Sequence, residues 1–174
     1  MKKLIMMVVI AGFFAACNQA KKEEQKESTS SIQMPYKANY SSDFNSNVSD
    51  SAVLTVLNSY KYWENADMSG LAGTIGDSLY FQGWDGMRVN GSNADIMKLW
   101  SSHRDSMSKV EISFDAWTKD HSADKNEDFV LVWYKEIDTY KTGKVDSANY
   151  ADINQLKNGK IYWYAQYRQE LKQK

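Results

Sequence analysis

The chain of 174 residues is long enough for one domain of ordinary size together with shorter flanking segments. Hydrophobic residues make up 43% and charged residues 25%, which excludes wholesale disorder, and the net charge of -1 gives no electrostatic reason to expect a nucleic-acid partner. A single cysteine excludes a disulfide framework within the chain, and with only two histidines besides we expect no metal and no cofactor.

The first residues have the pattern of an export signal. Two lysines precede an apolar run from Leu4 to Ala16. As a helix this run spans about 20 Å, short of the roughly 30 Å hydrocarbon core of a bilayer, so a signal peptide over residues 1–16 is favoured over a transmembrane helix. The ending Phe-Ala-Ala-Cys17 resembles the lipobox of bacterial lipoproteins, in which the cysteine is acylated. The resemblance implies that Cys17 carries acyl chains such as palmitate and that the lipid bilayer is a partner.

Residues 17–47 are predicted to form a flexible tether, because they are polar and show no apolar periodicity. Position 18 holds asparagine, so the aspartate that retains enteric-type lipoproteins in the inner membrane is missing. The charged run over residues 21–27 resembles the surface-export tethers of Bacteroidetes lipoproteins, although a merely solvated linker explains it equally well. We therefore expect an exported protein anchored to the cell envelope, at the outer membrane, facing the periplasm or the surface.

The folded domain is predicted to cover residues 48–174, a region that contains all six tryptophans. Its first helix covers residues 48–64, because apolar side chains recur there at helical spacing behind Ser49 or Asp50 as the N-cap. A break and a second, short helix follow near Gly70.

The next elements are a strand, a turn and a further helix. Residues 77–81 are predicted to form the strand, and the glycine-rich turn at residues 83–86 leads into a brief pairing strand. Ser92 or Asn93 can cap the third helix. The apolar face predicted for this helix consists of Ile96, Leu99, Trp100, His103 and Met107.

From residue 110 onward the pattern is typical of strands. Apolar and polar residues alternate over residues 110–116, and residues 129–134 and 144–156 are predicted to form two further strands. Asn158 and Gly159 favour a tight type I′ turn, from which residues 161–168 return as the last strand. Helices followed by antiparallel strands indicate an α+β fold.

The ordered set of motifs resembles the NTF2-like superfamily, in its SnoaL-like branch. The motifs are Tyr60 to Trp63 followed by Asp67, Asp77 at the start of the first strand, Gly91 before the third helix, and the hairpin over residues 158–161. The resemblance implies an NTF2-like cone, in which N-terminal helices pack on a strongly curved antiparallel sheet. It implies no single function, because the superfamily includes isomerases, cyclases, hydrolases and binding proteins without catalysis.

Acidic residues decide between catalysis and binding in such a cone. Family members with acid catalysis carry an aspartate midway along the last strand, and the matching position here is Gln166, whose amide cannot accept a proton at neutral pH. The Asp-Arg-Asp arrangement of the related epoxide hydrolases is also missing, and residues 136–138 stand about where those enzymes carry the arginine and the second acid.

Three candidate catalytic residues remain. Asp152, with Tyr150 on its strand face, and Asp138, with Glu136 and Tyr134, could project into the cone, or they could lie on the solvated outer face of the sheet. Inside the cone, desolvation would raise the pKa of either aspartate, and a tyrosine–aspartate pair could stabilise an enolate. His103 is either a core or rim histidine or a general base at the pocket mouth.

The excess of aromatic residues predicts a pocket for a flat or apolar ligand, although aromatic residues in a small domain also serve as core. The predicted pocket consists of Tyr60, Trp63, Trp84, Trp100, His103, Trp133, Tyr150, Tyr164 and Gln166. Three functions stay open: a lipoprotein that binds a small apolar or aromatic molecule, a proton-transfer isomerase or lyase, and a homodimeric interaction module. Whether the protein is an enzyme is left undecided by the sequence.

Overall fold

The computed structural model describes residues 35–171, in which three helices and seven strands form. The elements in chain order are β1 Phe44–Asn45, α1 Asp50–Glu64, α2 Met68–Thr74, β2 Ile75–Gln82, β3 Arg88–Ser92, α3 Asn93–Arg104, β4 Met107–Ser122, β5 Glu127–Tyr140, β6 Val145–Lys157 and β7 Lys160–Glu170. The predicted signal peptide, Cys17 and the first half of the predicted tether lie outside the described residues. Two residues of the predicted tether form β1.

A polar side chain before each helix accepts a hydrogen bond from an amide of the first turn. Ser49 accepts from the amide of Ala52 before α1, and Ser92 accepts from the amide of Asp95 before α3. These amides have no partner within the helix, so the serines fix where the helices begin. Both caps are among the residues that the sequence predicted.

The strands form a single sheet in the order β1-β4-β5-β6-β7-β2-β3. Every pair is antiparallel except β2 with β7, which is parallel. The antiparallel pairing that the sequence predicted therefore holds for every strand pair except this one, where the intervening elements provide the long connection that a parallel pair needs. Register shifts in β4, between Phe114 and Ala116, and in β2 mark irregularities of the kind that bend strands.

The concave face of the sheet and the first helix share the core. Val56 of α1, Leu79 of β2 and Val132 of β5 are fully buried in one cluster. Met107, which the sequence placed on the apolar face of the third helix, is instead the first residue of β4, because α3 ends at Arg104.

Arg104 is a buried cation that joins two helices. Its Nε donates to the carbonyl of Trp63 at 2.9 Å, and its Nη2 donates to the carbonyl of Glu64 at 3.0 Å. The last carbonyls of α1 have no partner within their helix, so Arg104 supplies the missing donors and holds the end of α3 against the end of α1.

The opposite face of the sheet also carries large aromatic side chains. Trp133 of β5 is 39% exposed and Tyr167 of β7 is 53% exposed, and both have Ala151 of β6 as a register partner. Trp133 was predicted to line the pocket. That prediction was wrong, because side chains alternate along a strand and the buried Val132 and Tyr134 occupy the inward positions on either side. Trp133 and Tyr167 lie on the face of the sheet at which the predicted homodimer would form, and the homodimer stays a prediction.

The turn between β6 and β7 requires left-handed backbone, with φ of 53° at Asn158 and 73° at Gly159. Gly159→Ala is expected to lower the free energy of unfolding by about 1 kcal/mol, because a Cβ disfavours this conformation. Gly73→Ala is the matched control: a Cβ added at Gly73 meets nothing within 4 Å, so this variant should keep or increase stability. Urea unfolding compares the two, and equal stabilities would contradict the prediction.

Candidate functional site

A cavity of about 380 Å³ lies between the helices and the concave face of the sheet. All the predicted pocket residues except Trp133 line it: Tyr60, Trp63, Trp84, Trp100, His103, Tyr150, Tyr164 and Gln166. Aromatic side chains form a large part of the walls, which suits a flat apolar molecule, and polar side chains such as Glu136, Asn154 and Gln166 line the cavity as well.

Asp152 of β6 lies behind one wall of this cavity, with only 1% of its surface exposed. Its Oδ2 accepts three hydrogen bonds from tyrosine hydroxyls: from Tyr60 of α1 at 2.8 Å, from Tyr134 of β5 at 2.8 Å and from Tyr164 of β7 at 2.6 Å. These four residues are called the Asp152 cluster below. Tyr60 and Tyr164 line the cavity, so they separate the carboxyl group from any ligand by one hydroxyl group.

Strand register explains why these groups meet. Asp152 lies directly opposite Val132 of β5 and Gln166 of β7, so Tyr134 and Tyr164 are its diagonal neighbours on the same face. Long side chains reach across such diagonal pairs. The third hydroxyl comes from α1, which packs across the concave face.

Two amides complete the polar network around the tyrosines. Gln166 Nε2 donates to the hydroxyl of Tyr164 at 2.9 Å and to that of Tyr134 at 3.2 Å, while Asn154 Nδ2 donates to that of Tyr60 at 3.4 Å. Each tyrosine therefore accepts an N–H and is left to donate its own proton to Asp152. Gln166 is thus a donor that orients the tyrosines, and the acid lies opposite it on the neighbouring strand.

Burial controls the charge of Asp152. Removal from water raises the pKa of this carboxyl group from 3.8 to about 7, although hydrogen bonds from Tyr164, Tyr60 and Tyr134 favour the charged form. Its second oxygen, Oδ1, is buried and has no hydrogen-bond partner among the described residues. Desolvation and the nearby Asp152 charge raise the pKa of all three tyrosines well above the usual value. Asp152 is therefore the group in this cluster whose charge changes near neutral pH, while the tyrosines stay neutral.

A second acidic group lines the cavity itself. Glu136 and Asp138 of β5 are 8% and 7% exposed, so they point into the cone and not toward the solvated outer face. Trp63 Nε1 donates to Glu136 Oε1 at 3.3 Å. Burial and the neighbouring Asp138 charge raise the pKa of Glu136 well above its ordinary value, and burial raises the pKa of Asp138. Because these two carboxyl groups lie close together, ionisation of Asp138 makes ionisation of Glu136 less favourable.

His103 and Trp84 lie at the mouth of the cavity. His103 is exposed and its ring stacks on Trp63, with 6.2 Å between the ring centroids. Trp84 is 52% exposed in the turn between β2 and β3, and the guanidinium of Arg168 lies 4.6 Å from its ring centroid. Of the sequence alternatives for His103, the structure places it at the pocket mouth and not in the core.

Some residues of the site were not singled out from the sequence. Asn154 and Arg168 were not predicted, and Tyr134 was paired with Asp138 although its hydroxyl group donates to Asp152. The alternation along β6 was a usable signal for Asn154, because it lies two residues from Asp152 on the same face. No sequence signal identified Arg168, whose role depends on the folded turn beside it.

Within residues 35–171, no group of three or more His, Cys, Asp or Glu residues is placed to hold a metal ion. In the same part of the chain, no helix is long and apolar enough to cross a membrane. The predictions concerning Cys17 and the membrane stay predictions.

Solved structures share this architecture, whereas no family model and no curated protein matches the sequence. The LEH-like epoxide hydrolase of M. tuberculosis matches with a TM-score of 0.59 and 13% sequence identity, covering 69% of this chain and 84% of that one. An NTF2-like protein from Anabaena variabilis matches with a TM-score of 0.57 and 13% sequence identity, and the match covers 73% of this chain and 96% of that one. AusH from Aspergillus nidulans matches with a TM-score of 0.57 and 12% sequence identity, and the match covers 73% of this chain and 89% of that one. The predicted NTF2-like cone is confirmed as the fold. Sequence identities this low do not show that this chain shares the activity of any of these proteins.

The buried carboxyl group of Asp152 makes stability depend on pH. Because its pKa is raised from 3.8 to about 7, the folded state binds the proton more tightly than the unfolded chain does. The stability that the folded protein gains from binding this proton is fully present below about pH 4 and is lost as the pH rises through about 7. Between about pH 5 and about pH 8, the free energy of unfolding should fall by about 3 kcal/mol more in the wild type than in Asp152→Asn.

Urea unfolding at the two pH values measures this difference. Glu111→Gln, at an exposed position of β4, is the control and should keep the pH dependence of the wild type. An Asp152→Asn protein whose stability changes with pH as much as that of the wild type would show that Asp152 titrates normally.

Proposed function

We propose that the cone binds a small, mostly apolar or aromatic molecule and transfers a proton on it, as an isomerase or a lyase does. The observation that carries the proposal is the Asp152 cluster: a buried carboxyl group that titrates near neutral pH, in contact with two tyrosines that line the cavity. A general acid–base group works best when its pKa lies close to the working pH.

The cluster provides a route for the proton. A ligand bound against Tyr164 gives a proton to the hydroxyl oxygen of that tyrosine, while the tyrosine's own proton moves to Asp152 Oδ2 along the 2.6 Å hydrogen bond. The ligand is left with a negative charge, Tyr164 stays neutral and Asp152 becomes a neutral acid. Return of the proton at a different atom of the ligand completes an isomerisation, and loss of a leaving group before its return completes an elimination.

The remaining residues of the cone position the ligand. Phe81, Trp100 and Tyr164 form edge-to-face and stacked contacts that provide a rigid aromatic wall next to the cluster. Such a wall holds a flat molecule in one orientation, which brings the same atom against Tyr164 in each binding event.

The structures with the same fold are consistent with a ligand-binding cone, but they do not support any particular reaction. One is an LEH-like epoxide hydrolase, so this architecture accommodates enzymes. Because function depends on the residues of the site, the proposal depends on Asp152 and its tyrosines and not on the fold.

The proposal predicts exchange of protons on a flat ketone. Wild-type protein should catalyse deuterium incorporation at the carbon atoms next to the carbonyl group of 2-tetralone in D₂O, followed by ¹H NMR. The rate should rise with pH through about 7, because ionised Asp152 is the proton acceptor. Asp152→Asn should lower the rate by at least about 100-fold, and Tyr164→Phe should lower it as well because the hydroxyl relay is lost.

Glu111→Gln is the matched control for loss of an acidic residue away from the cone, and it should exchange at the wild-type rate. A wild-type rate equal to that of buffer, or a rate that Asp152→Asn leaves unchanged, would contradict proton transfer by this cluster.

We further propose that the protein is a membrane-anchored lipoprotein. The support is the sequence pattern alone, in which the only cysteine, Cys17, follows an apolar run and two small residues. Acyl chains stabilise membrane association by about 0.8 kcal/mol per buried methylene, so two or more chains hold a protein firmly.

Cys17→Ser is expected to move the full-length protein from the membrane fraction to the soluble fraction and to abolish incorporation of labelled palmitate. Cell fractionation with an antibody to the folded domain checks this. Membrane association that survives the substitution would overturn the anchor.

A further inference from the structure

The charged side chains that line the cavity are mostly acidic. Asp85, Glu136, Asp138 and Asp146 line it, and His103 is the one basic side chain among the described lining residues. A cavity of this sign favours a positively charged ligand over a negatively charged one.

Neither of the two arginines near these acids forms an ion pair with Asp138. Arg168 donates from Nη2 to both oxygens of Asp146, at 2.7 and 2.9 Å. Arg104 donates to the carbonyl oxygens of Trp63, Glu64 and Met107, so it acts on Asp138 only at a distance.

Asp138 is therefore a buried acid in an unfavourable position. It lies directly opposite Asp146 in the register of β5 and β6, and like charges in such pairs repel. Its side chain lines the cavity, the residue is only 7% exposed, and Oδ1 accepts no hydrogen bond from an N–H or hydroxyl group of the described chain. A buried carboxylate oxygen without a donor is unfavourable, and a cation in the cavity would offset this cost.

Aromatic side chains line the cavity as well. Trp63, Tyr140 and Tyr150 line it together with Trp84 at the mouth. The ring of Trp84 already lies over one cation, the guanidinium of Arg168. Faces of tryptophan and tyrosine attract ammonium groups, and they do so more strongly where water is excluded.

We propose that the cavity selects ligands that carry an ammonium group, which pairs with Asp138 and lies against these aromatic faces. This inference names the ligand class of the proposed function and rests on that function only in requiring that the cone binds a small molecule. The ammonium end then lies toward β5 and the mouth, and the remainder of the ligand extends toward the Asp152 cluster.

Three probes of matched shape test the charge preference: phenethylamine, 2-phenylethanol and 3-phenylpropanoate. Affinities for wild-type protein are measured by calorimetry at about pH 8, where the amine is protonated. Phenethylamine should bind at least about tenfold more tightly than 2-phenylethanol, and 3-phenylpropanoate should bind most weakly. This comparison does not require any variant to fold.

Variants then locate the preference. Glu136→Gln should keep it, because Asp138 is still present, and the double variant Glu136→Gln/Asp138→Asn should remove it while leaving the affinity for 2-phenylethanol within about twofold. Glu111→Gln should show the same preference for phenethylamine over 2-phenylethanol as the wild type.

Equal affinities for the amine and the alcohol would overturn the ammonium preference and leave proton transfer by the Asp152 cluster intact. Lack of binding by all three probes would count against both the preference and a small-molecule cavity. A preference for the amine that survives the double variant would overturn the assignment to Asp138.

Discussion

The structure of the site depends on one constraint: the carboxyl group of Asp152 is removed from water, and every group around it is placed to meet that cost. Three hydroxyl groups donate to a single oxygen, and they come from a helix and from the strands on either side of β6. Since an isolated buried carboxylate costs several kcal/mol, the tyrosines and the amides behind them act as one unit. The result is an acid whose charge state changes near neutral pH, next to a cavity large enough for a small organic molecule.

The cone has two acidic regions with different surroundings. Asp152 is surrounded by donors and lies one hydroxyl group away from the cavity, whereas Glu136 and Asp138 lie on the cavity wall next to each other. Two titratable groups in different environments commonly have different roles in an active site, because their environments give them different pKa values. The roles proposed above follow such a division, with proton transfer by the Asp152 cluster and recognition of a cationic group by Asp138.

The sequence predicted most of the fold, because the signals involved are local. Helical spacing before residue 64, serine caps and the Asn158–Gly159 turn each require only neighbouring residues. The parallel pairing of β2 with β7 was missed, since pairing between strands far apart in sequence leaves no local signal. Trp133 was assigned to the wrong face because its neighbours are apolar on both faces of a central strand, where alternation is hardest to read.

The site was predictable only in part. Asp152 and Asp138 were identified as candidates, yet the sequence left open whether they point into the cone. The convergence of Tyr60, Tyr134 and Tyr164 on Asp152 depends on the registers of β5, β6 and β7 and on the placement of α1, none of which a single sequence determines. The resemblance drew attention to Gln166, while the acid itself lies directly opposite on the adjacent strand.

The most direct test of the account is the ionisation of Asp152 itself. A ¹³C NMR titration of its side-chain carboxyl carbon, assigned by the resonance missing from Asp152→Asn, reports the pKa of this group in the folded protein. The account predicts a midpoint at about 7, because burial outweighs the three tyrosine hydrogen bonds. A midpoint near the ordinary value of 3.8 would contradict it, since the group would then be fully charged at neutral pH and poorly suited to exchange a proton.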